Sequence, residues 1–257
     1  HPRSVPCEEL LKSAAPSEQS TDKAVPLGMI RALPLLVLLF PAWCLGQGYE
    51  HRSGSEEGIG KWYMGREIAH TMSAAHAAWL DRPEREREEQ PMRMVERMNI
   101  ASDDVVADIG CGTGLHTLLM AAQAPQGKIY AVDIQAAMLD SVFVRSMAKG
   151  LNNIDVVLGT GTDPRLPGAR IDKVLMVDVY HEFSFPAEMM AGVVKAMRSG
   201  ALLFLVEFRG EDPTIPIKDL HRMGKGQAKR EMRAAGLMFE QGWDGLPWQH
   251  FLVFRKP

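Results

Sequence analysis

Residues 110–114, with the sequence Gly-Cys-Gly-Thr-Gly, join an apolar run that ends at Ile109 to a second run that begins at Leu115. The first run is typical of a buried strand and the second of a helix. Glycine lets the backbone turn sharply and approach a ligand closely, because it carries no Cβ. The amino end of the following helix offers unpaired N–H groups to a polar or negatively charged group. The pattern predicts a binding site for a nucleotide-type cofactor.

The spacing of the glycines indicates which cofactor this site takes. A dinucleotide fingerprint has the spacing G-x-G-x-x-G, whereas here the third glycine comes one residue early and Leu115 stands in its place. Asp108 lies at the end of the strand, and we expect its carboxylate to point into the site. A carboxylate in that position would repel a pyrophosphate and attract an ammonium or sulfonium group. These features argue against a dinucleotide.

With the strand before it and the helix after it, this segment resembles motif I of the class I S-adenosylmethionine-dependent methyltransferases. The resemblance covers roughly residues 101–257 and implies that the cofactor is S-adenosyl-L-methionine. For Cys111 we expect a packing role, because a small apolar residue suffices in such a loop. The resemblance implies cofactor contacts for five residues of the strand end and loop, namely Asp108, Gly110, Cys111, Gly112 and Gly114.

Two further strands carry polar groups expected at the same site. Residues 128–133 form an apolar run that ends in Asp133, about 20 residues past the loop, where a carboxylate holds ribose hydroxyls. The resemblance implies that Asp133 binds the ribose and that Ile134 packs on the adenine. It also implies that the loop after the third strand, residues 154–158, reads the adenine amino group. Thr162 and Asp163 are both candidates for that role, and we favour Asp163.

The fourth predicted strand, residues 172–178, delivers the candidate catalytic groups. It ends at Asp178, and the resemblance to motif IV places this end beside the cofactor and its transferable methyl group. His181 and Glu182 are the candidate general bases, with Tyr180 as an orienting donor, and the ordinary pKa of histidine near neutrality favours His181. A purely local packing role is the alternative for His181. We expect Glu207, Arg209 and His221 to face the same pocket: they follow the fifth predicted strand or lie in the next segment.

These groups need a scaffold that brings the ends of several strands together. The pattern predicts an α/β fold: a doubly wound, seven-stranded, mostly parallel sheet with an antiparallel last strand, over residues 101–257. The last two strands, near residues 237–240 and 251–254, have no crossover helix between them, so one must be antiparallel. Before the sheet we predict a linker at residues 47–57 and a helical cap over residues 58–100. One apolar helical face would be formed by Tyr63, Met64, Ile68, Met72, Ala75 and Trp79.

Within this cap, the mixed-charge run at residues 81–89 is predicted to be a solvated helix surface. His70 and His76 are six residues apart, off the spacing of one helix face, so we expect no metal site. At the amino end, Met29 and Arg31 precede an apolar stretch that ends near Trp43, followed by small residues. This pattern predicts a signal peptide at residues 29–46 and upstream sequence at residues 1–28. The expected location is periplasmic or secreted, with a cytoplasmic protein as the alternative.

Composition narrows the range of partners. The chain has 257 residues and a formal net charge of −3, and no basic stripe suggests nucleic acid. The apolar stretch near the amino end is too short to span a bilayer comfortably, so no stable membrane span is expected. The predicted function is in-line methyl transfer to a small-molecule substrate, with the oligomeric state left open. The alternatives are a nicotinamide-dependent oxidoreductase and a non-methylating ligand-binding member of the same fold.

Overall fold

The structure is a computed structural model that describes residues 48–257. The upstream sequence and signal peptide predicted for residues 1–28 and 29–46 lie outside the described residues. Within residues 48–257, no helix combines the length and the apolar character needed to cross a membrane.

A large twisted sheet forms the centre of the described chain. Its strand order is β6-β5-β4-β7-β8-β11-β10, with the two-residue strand β9 beside β8. Strands β4 to β8 pair in parallel, whereas β11 runs antiparallel to both of its neighbours. The strands are β4 (Val105–Ile109), β5 (Lys128–Asp133), β6 (Ile154–Leu158), β7 (Ile171–Val177), β8 (Met197–Arg209), β9 (Arg222–Met223), β10 (Met238–Trp243) and β11 (Gln249–Arg255).

This topology confirms the predicted doubly wound α/β fold with an antiparallel last strand. The short connection from β10 to β11 cannot hold a crossover helix, so the chain returns as a hairpin. The strand order reverses at β4, which has β5 on one side and β7 on the other. In open α/β sheets, the crevice at such a switch point is where ligands bind, outside the carboxyl ends of the strands.

Helices cover both faces of the sheet and bury two layers of apolar side chains. Met94 and Met120 belong to a core layer on one face, and Met189 and Met232 belong to the layer on the other face. All four side chains are almost fully buried. The helices that close these layers and follow β4, β5, β7 and β9 are α3 (Leu115–Gln123), α4 (Ala136–Ala148), α5 (Pro186–Ala196) and α6 (Lys225–Ala234).

The segment before the sheet differs from the prediction. Instead of a linker and a helix, the chain forms a separate antiparallel sheet of β1 (Tyr49–His51), β2 (Gly58–Tyr63) and β3 (Arg66–Ala69). Met64 and Gly65 have φ values of 49° and 91°. Two consecutive residues with positive φ favour a tight hairpin turn, which ends any helix at this point. The apolar spacing that suggested one helical face is therefore a hairpin pattern over residues 58–69.

Beyond the hairpin, the predicted helical character is found only in short pieces. These are a 3-10 helix at Ala74–Asp81, α1 at Arg85–Glu89 and α2 at Pro91–Arg97. The charged run is not a solvated surface throughout, because Arg85 and Glu89 are 8% and 1% exposed. Their side chains form an ion pair with an Nε–Oε2 distance of 2.6 Å. A buried charge is tolerated when it is paired in this way.

Candidate functional site

A cavity of about 760 Å³ opens at the carboxyl ends of the parallel strands. Its walls come from the loops after β4, β5, β6 and β7, from the end of β8, and from two covering segments, residues 70–82 and residues 216–221. This volume lies within the range of roughly 300–1,000 Å³ that is typical of small-molecule sites. The cavity therefore lies where the doubly wound topology predicts a ligand.

The glycine loop shapes one end of the cavity. Gly110 and Gly112 have φ values of 71° and 53°, in the left-handed region that glycine adopts without strain. A Cβ on Gly110 would lie 2.3 Å from the side chain of Val179, and one on Gly112 would lie 2.6 Å from Leu80. Both glycines and Cys111 line the cavity, whereas Gly114 does not and instead begins helix α3. The loop thus brings bare backbone to the cavity wall.

Asp133 and Ile134 lie at the carboxyl end of β5 and both line the cavity. The Asp133 carboxylate accepts hydrogen bonds from the backbone N–H of Gly112 at 3.1 Å and of Gln135 at 2.9 Å. Burial raises the pKa of Asp133, although these backbone hydrogen bonds oppose the shift. Each oxygen keeps a lone pair for a donor in the cavity. Ile134 is 46% exposed and offers an apolar surface at the cavity wall.

The loop after β6 places different residues at the cavity than predicted. Thr162 and Asp163 are exposed and do not line it, whereas Gly159 and Gly161 do. The Asp163 carboxylate accepts a hydrogen bond from the backbone N–H of Arg165 at 2.7 Å, which closes a local turn. Aspartate commonly bonds the backbone two residues ahead in this way. Backbone groups of the loop, and not the two predicted side chains, face the cavity.

Asp108 also differs from the prediction, because its carboxylate points away from the cavity. It accepts a hydrogen bond from the Thr117 hydroxyl at 2.6 Å, within the first turn of α3. Burial raises the pKa of Asp108 to about 6, with the Thr117 hydrogen bond opposing the shift. Asp108 therefore fixes the helix to the strand beneath the loop. A negative group near the amino end of a helix is also favoured by the helix dipole.

Asp178 and the cavity-lining thiol of Cys111 have strongly shifted acidities. Asp178 follows β7, lines the cavity and accepts a hydrogen bond from Gln249 at 3.1 Å. Burial raises its pKa well above the ordinary value, and the nearby carboxylates of Glu89 and Glu207 raise it further. Burial likewise raises the pKa of the Cys111 thiol, which fits the packing role expected for it.

His181 is held in place by a buried carboxylate. Its Nδ1 lies 2.6 Å from Oε2 of Glu207, whose other oxygen accepts a hydrogen bond from the Tyr180 backbone N–H at 2.9 Å. Burial lowers the pKa of His181, but the charge and hydrogen bond of Glu207 outweigh it, so the pKa is raised. His181 lines the cavity and is only 2% exposed. It is an oriented group with one ring nitrogen, Nε2, left for another partner.

Two more side chains lie close to Nε2 of His181. Nδ1 of His221 lies 3.0 Å from His181 Nε2, and Oε1 of Glu182 lies 3.8 Å from the same atom. The second oxygen of Glu182 accepts a hydrogen bond from the Met72 backbone N–H at 3.1 Å. All three side chains line the cavity. Because the prediction of no metal site considered only His70 and His76, it missed this group, which the fold assembles from two separate segments.

Tyr180 does not have the predicted position. It is 1% exposed, lies outside the cavity lining, and its ring packs against Phe183 with the Arg66 guanidinium 5.3 Å from its centroid. Burial raises the pKa of its hydroxyl well above the usual value, and the nearby Glu231 raises it further. Tyr180 is therefore part of the core behind the site. Only its backbone N–H, bonded to Glu207, supports the predicted catalytic group.

Several cavity residues were not predicted from the sequence as site residues. Arg85 and Glu89 come from the charged run, and His116 follows the glycine loop on α3. Burial and Arg85 lower the pKa of His116 well below the usual value, so the ring is neutral. Gln249 on β11 is fully buried and orients Asp178. The position of His116 directly after the loop was the one signal that could have identified it.

The segment at residues 70–82 covers the cavity and is anchored at both ends. Near its start, Gln135 accepts from the Ala74 backbone N–H at 2.7 Å and donates to the Met72 carbonyl at 2.9 Å. At its end, Asp81 accepts a hydrogen bond from the Thr113 hydroxyl at 2.9 Å and pairs with Arg145. These contacts join the cover to the glycine loop and to α4, so the cover and the loop are positioned together.

Comparison with known proteins agrees with this geometry. Residues 106–200 match a family model described as a methyltransferase domain. The chain is 29% identical over 163 residues to the release factor glutamine methyltransferase of Xylella fastidiosa (strain Temecula1), covering 63% of this chain and 55% of that protein. It is 31% identical over 84 residues to the protein-L-isoaspartate O-methyltransferase of Ignicoccus hospitalis, covering 32% of this chain and 40% of that protein. The chain thus spans about half the length of the curated relatives it matches.

Among solved structures, the fold resembles an S-adenosylmethionine-dependent methyltransferase from Aquifex aeolicus with a TM-score of 0.68. The sequences are 18% identical, and the match covers 72% of this chain and 98% of that one. At this identity the likeness concerns the fold. The match includes nearly all of the Aquifex protein, so the central sheet and its helices correspond to the whole of that protein's fold.

Proposed function

Because this chain belongs to the class I S-adenosylmethionine-dependent methyltransferase family, we propose that it transfers a methyl group from S-adenosylmethionine to a small-molecule acceptor. One observation carries the proposal. A single cavity of about 760 Å³ contains both the glycine loop with Asp133 and the group formed by His181, Glu182 and His221. A donor site and a polar acceptor site are therefore continuous.

The residues at the loop end fit the proposed cofactor. Gly110 and Gly112 leave no room for a side chain between the loop and its neighbours, so bare backbone borders the cavity. Asp133 offers carboxylate lone pairs for ribose hydroxyls, and Ile134 offers an apolar surface for a base. The early third glycine of the loop also disfavours a dinucleotide. When bound, S-adenosylmethionine supplies an electrophilic methyl group on its sulfonium.

The size and cover of the cavity favour a small acceptor. Residues 70–82 and residues 216–221 close over the carboxyl ends of the strands, and the first of these segments is hydrogen-bonded to the loop and to α4. A polypeptide acceptor would need this cover to move aside. Two of the relatives are a release factor glutamine methyltransferase and a protein-L-isoaspartate O-methyltransferase, so a protein acceptor is the natural competing outcome.

The chemistry requires positioning and, for a protonated acceptor, a base. Holding donor and acceptor at contact distance supplies most of the rate effect in such a transfer. Glu207 fixes the His181 ring at 2.6 Å, and His221 lies 3.0 Å from its other nitrogen. We assign removal of the acceptor proton to the group formed by these two histidines and Glu182, because these three titratable side chains line the cavity and their polar atoms lie within 4.8 Å of one another. Asp178, Arg85 and Glu89 add further polar groups to the cavity wall.

The proposal is tested by following a labelled methyl group. Wild-type protein and methyl-labelled S-adenosylmethionine are incubated together in two reactions. One contains the small-metabolite fraction of a cell extract, and the other contains its protein fraction. Label is expected in small molecules, and Asp133→Ala protein should transfer much less at limiting cofactor concentration. Label confined to the protein fraction would replace the small-molecule acceptor by a protein. Absence of transfer with intact cofactor binding would contradict the methyltransferase proposal.

A further inference from the structure

The geometry points to a divalent transition-metal site formed by His181, Glu182 and His221 on the wall of the cavity. The three donor atoms are His181 Nε2, His221 Nδ1 and Glu182 Oε1, and they lie within 4.8 Å of one another. Their separations are 3.0 Å between the two nitrogens, 3.5 Å from Glu182 to His221, and 3.8 Å from Glu182 to His181.

These separations fit one shared ion. Metal–nitrogen distances of about 2.0–2.1 Å and metal–oxygen distances of about 2.0–2.2 Å place two ligands of a tetrahedral ion about 3.3–3.5 Å apart. The observed values of 3.0, 3.5 and 3.8 Å lie around that range. Small side-chain shifts would bring all three atoms to bonding distance of a single centre. The donor set of two imidazoles and one carboxylate suits zinc, iron or manganese, and does not suit a soft monovalent ion.

The donors are oriented by partners of their own. Nδ1 of His181 lies 2.6 Å from Glu207, which leaves Nε2 as the ligand atom, and a carboxylate behind a histidine is the usual support of a metal ligand. The second oxygen of Glu182 is held by the Met72 backbone N–H at 3.1 Å. Two of the three ligands are therefore fixed by contacts that an ion would not disturb.

The local negative charge also favours a bound cation. Glu207 is fully buried and Glu182 nearly so, with side-chain exposures of 0% and 11%. Among the described residues, no lysine or arginine forms an ion pair with either carboxylate, and their ionic partners are His181 and His221. Buried carboxylates are costly unless a cation balances their charge. A divalent ion between two neutral imidazoles would balance both charges.

The position of the site suggests a catalytic role for the ion. Three protein ligands leave at least one coordination position open, as in catalytic metal sites, and all three ligand residues line the cavity. Resting on the proposed function, this assigns the acceptor to molecules with an oxygen donor, such as a hydroxyl or enol. A metal ion lowers the pKa of a bound oxygen group, so the acceptor would lose its proton on binding.

Metal binding is tested in the absence of the methyl donor and of any methyl acceptor. Protein stripped with a chelator is titrated with Co²⁺ followed by visible absorption, and with Zn²⁺ followed by calorimetry. We expect one ion per chain at micromolar concentration. His221→Ala and Glu182→Gln should each weaken binding at least tenfold. Glu207→Gln should weaken it by about 10–100-fold through the orientation of His181. His51→Ala, an exposed histidine on β1 outside the cavity, is the matched control and should bind as wild type.

Two results would overturn the site: no stoichiometric ion on wild-type protein, or equal losses in His51→Ala and His221→Ala. Circular dichroism of each variant shows whether it is folded. His221→Ala should be the safest substitution, because this side chain lies partly exposed on a 3-10 helix. Calorimetry of the same stripped protein with S-adenosylmethionine separates the two proposals. Ion binding without cofactor binding would uphold the metal site and contradict the methyltransferase function. Cofactor binding without ion binding would contradict the metal site and leave the methyltransferase proposal in place.

Discussion

At the scale of single residues, the site depends on carboxylates that the protein desolvates and then restrains. Asp133 is the one that combines a cavity position with two backbone hydrogen bonds, at 3.1 Å to Gly112 and 2.9 Å to Gln135. Asp108 is hydrogen-bonded to Thr117 beneath the glycine loop, and Glu207 is hydrogen-bonded to His181. Each restrains a different part of the cavity wall, so their substitutions should have separable effects.

For Asp133 we predict a loss of cofactor affinity. Asp133→Ala should weaken S-adenosylmethionine binding by roughly 1–3 kcal/mol, the value for hydrogen bonds to a charged acceptor. Calorimetry measures the dissociation constant. Asp155→Ala removes a carboxylate from the neighbouring strand β6, where it pairs with Lys128 in solvent, and should bind as tightly as wild type. Unchanged affinity in Asp133→Ala would remove Asp133 from the binding site.

For Asp108 we predict a pH effect on stability. Its pKa rises from 3.8 to about 6 in the folded protein, so the native state holds this proton more tightly than the unfolded state. The stabilisation is complete below the unfolded pKa and is lost as the pH rises through about 6, which amounts to roughly 3 kcal/mol. Asp108→Asn lacks this titration. Urea unfolding between about pH 4 and pH 7 should show a smaller fall in stability for the variant, and parallel curves would contradict the assignment.

For His181 we predict a loss of turnover. His181→Ala should lower the rate by about 10²–10⁴-fold, the usual contribution of general acid–base catalysis, because the variant lacks the ring that either takes the acceptor's proton itself or, with an ion bound, helps to hold the metal that acidifies the acceptor. Cofactor affinity should barely change, because the residues proposed to hold the cofactor are Asp133, Ile134 and the glycine loop. His51→Ala is the control and should turn over normally. Turnover at the wild-type rate would shift the role to Glu182, and loss of cofactor binding would mean that His181 is structural.

The sequence identified the chemistry of these residues better than their orientation. Spacing together with the family resemblance identified Asp133, Gly110, Gly112 and His181, which all line the cavity. It could not show that Asp108 turns to Thr117 or that Tyr180 turns into the core, since a side chain's direction depends on its tertiary neighbours. It also could not join His221 to His181, because the two are 40 residues apart.

At the scale of secondary-structure elements, the central sheet was predictable and the cover was not. The parallel strands are continuous apolar runs bounded by turns, a strong signal for buried strands. The segment at residues 58–69 has apolar residues at spacings that also fit a helix, and the turn at Gly65 decides between the two. A positive-φ turn fixes a hairpin through local backbone geometry, which outweighs the weak apolar periodicity.

For the cover we predict that its anchors affect binding. Asp81 joins the end of the 3-10 helix to Thr113 of the loop at 2.9 Å and to Arg145 of α4. Asp81→Ala should loosen the cover and raise the dissociation constant of the cofactor a few-fold, because partly exposed ion pairs contribute about 0.2–1 kcal/mol. Calorimetry measures the change, with Asp155→Ala again as the control. Equal affinities in the two variants would show that the anchor does not influence binding.

At the scale of the whole molecule, the described chain is one sheet with a cavity at its switch point and a separate small sheet, β1 to β3, before it. The fold places the glycine loop and His181 after the neighbouring strands β4 and β7, which is why motifs far apart in sequence meet there. The export signal predicted at residues 29–46 lies outside the described residues and stays a prediction. The central claim, a sulfonium cofactor in this cavity, concerns the described chain alone.

That claim is tested most directly by calorimetry of wild-type protein with S-adenosylmethionine and, separately, with NADH. The account predicts one site for S-adenosylmethionine at micromolar concentration and no measurable heat of binding for NADH. The reason is that the third glycine of the loop comes one residue too early for a dinucleotide fingerprint. Binding of NADH without binding of S-adenosylmethionine would contradict the account and favour the alternative of a nicotinamide-dependent oxidoreductase.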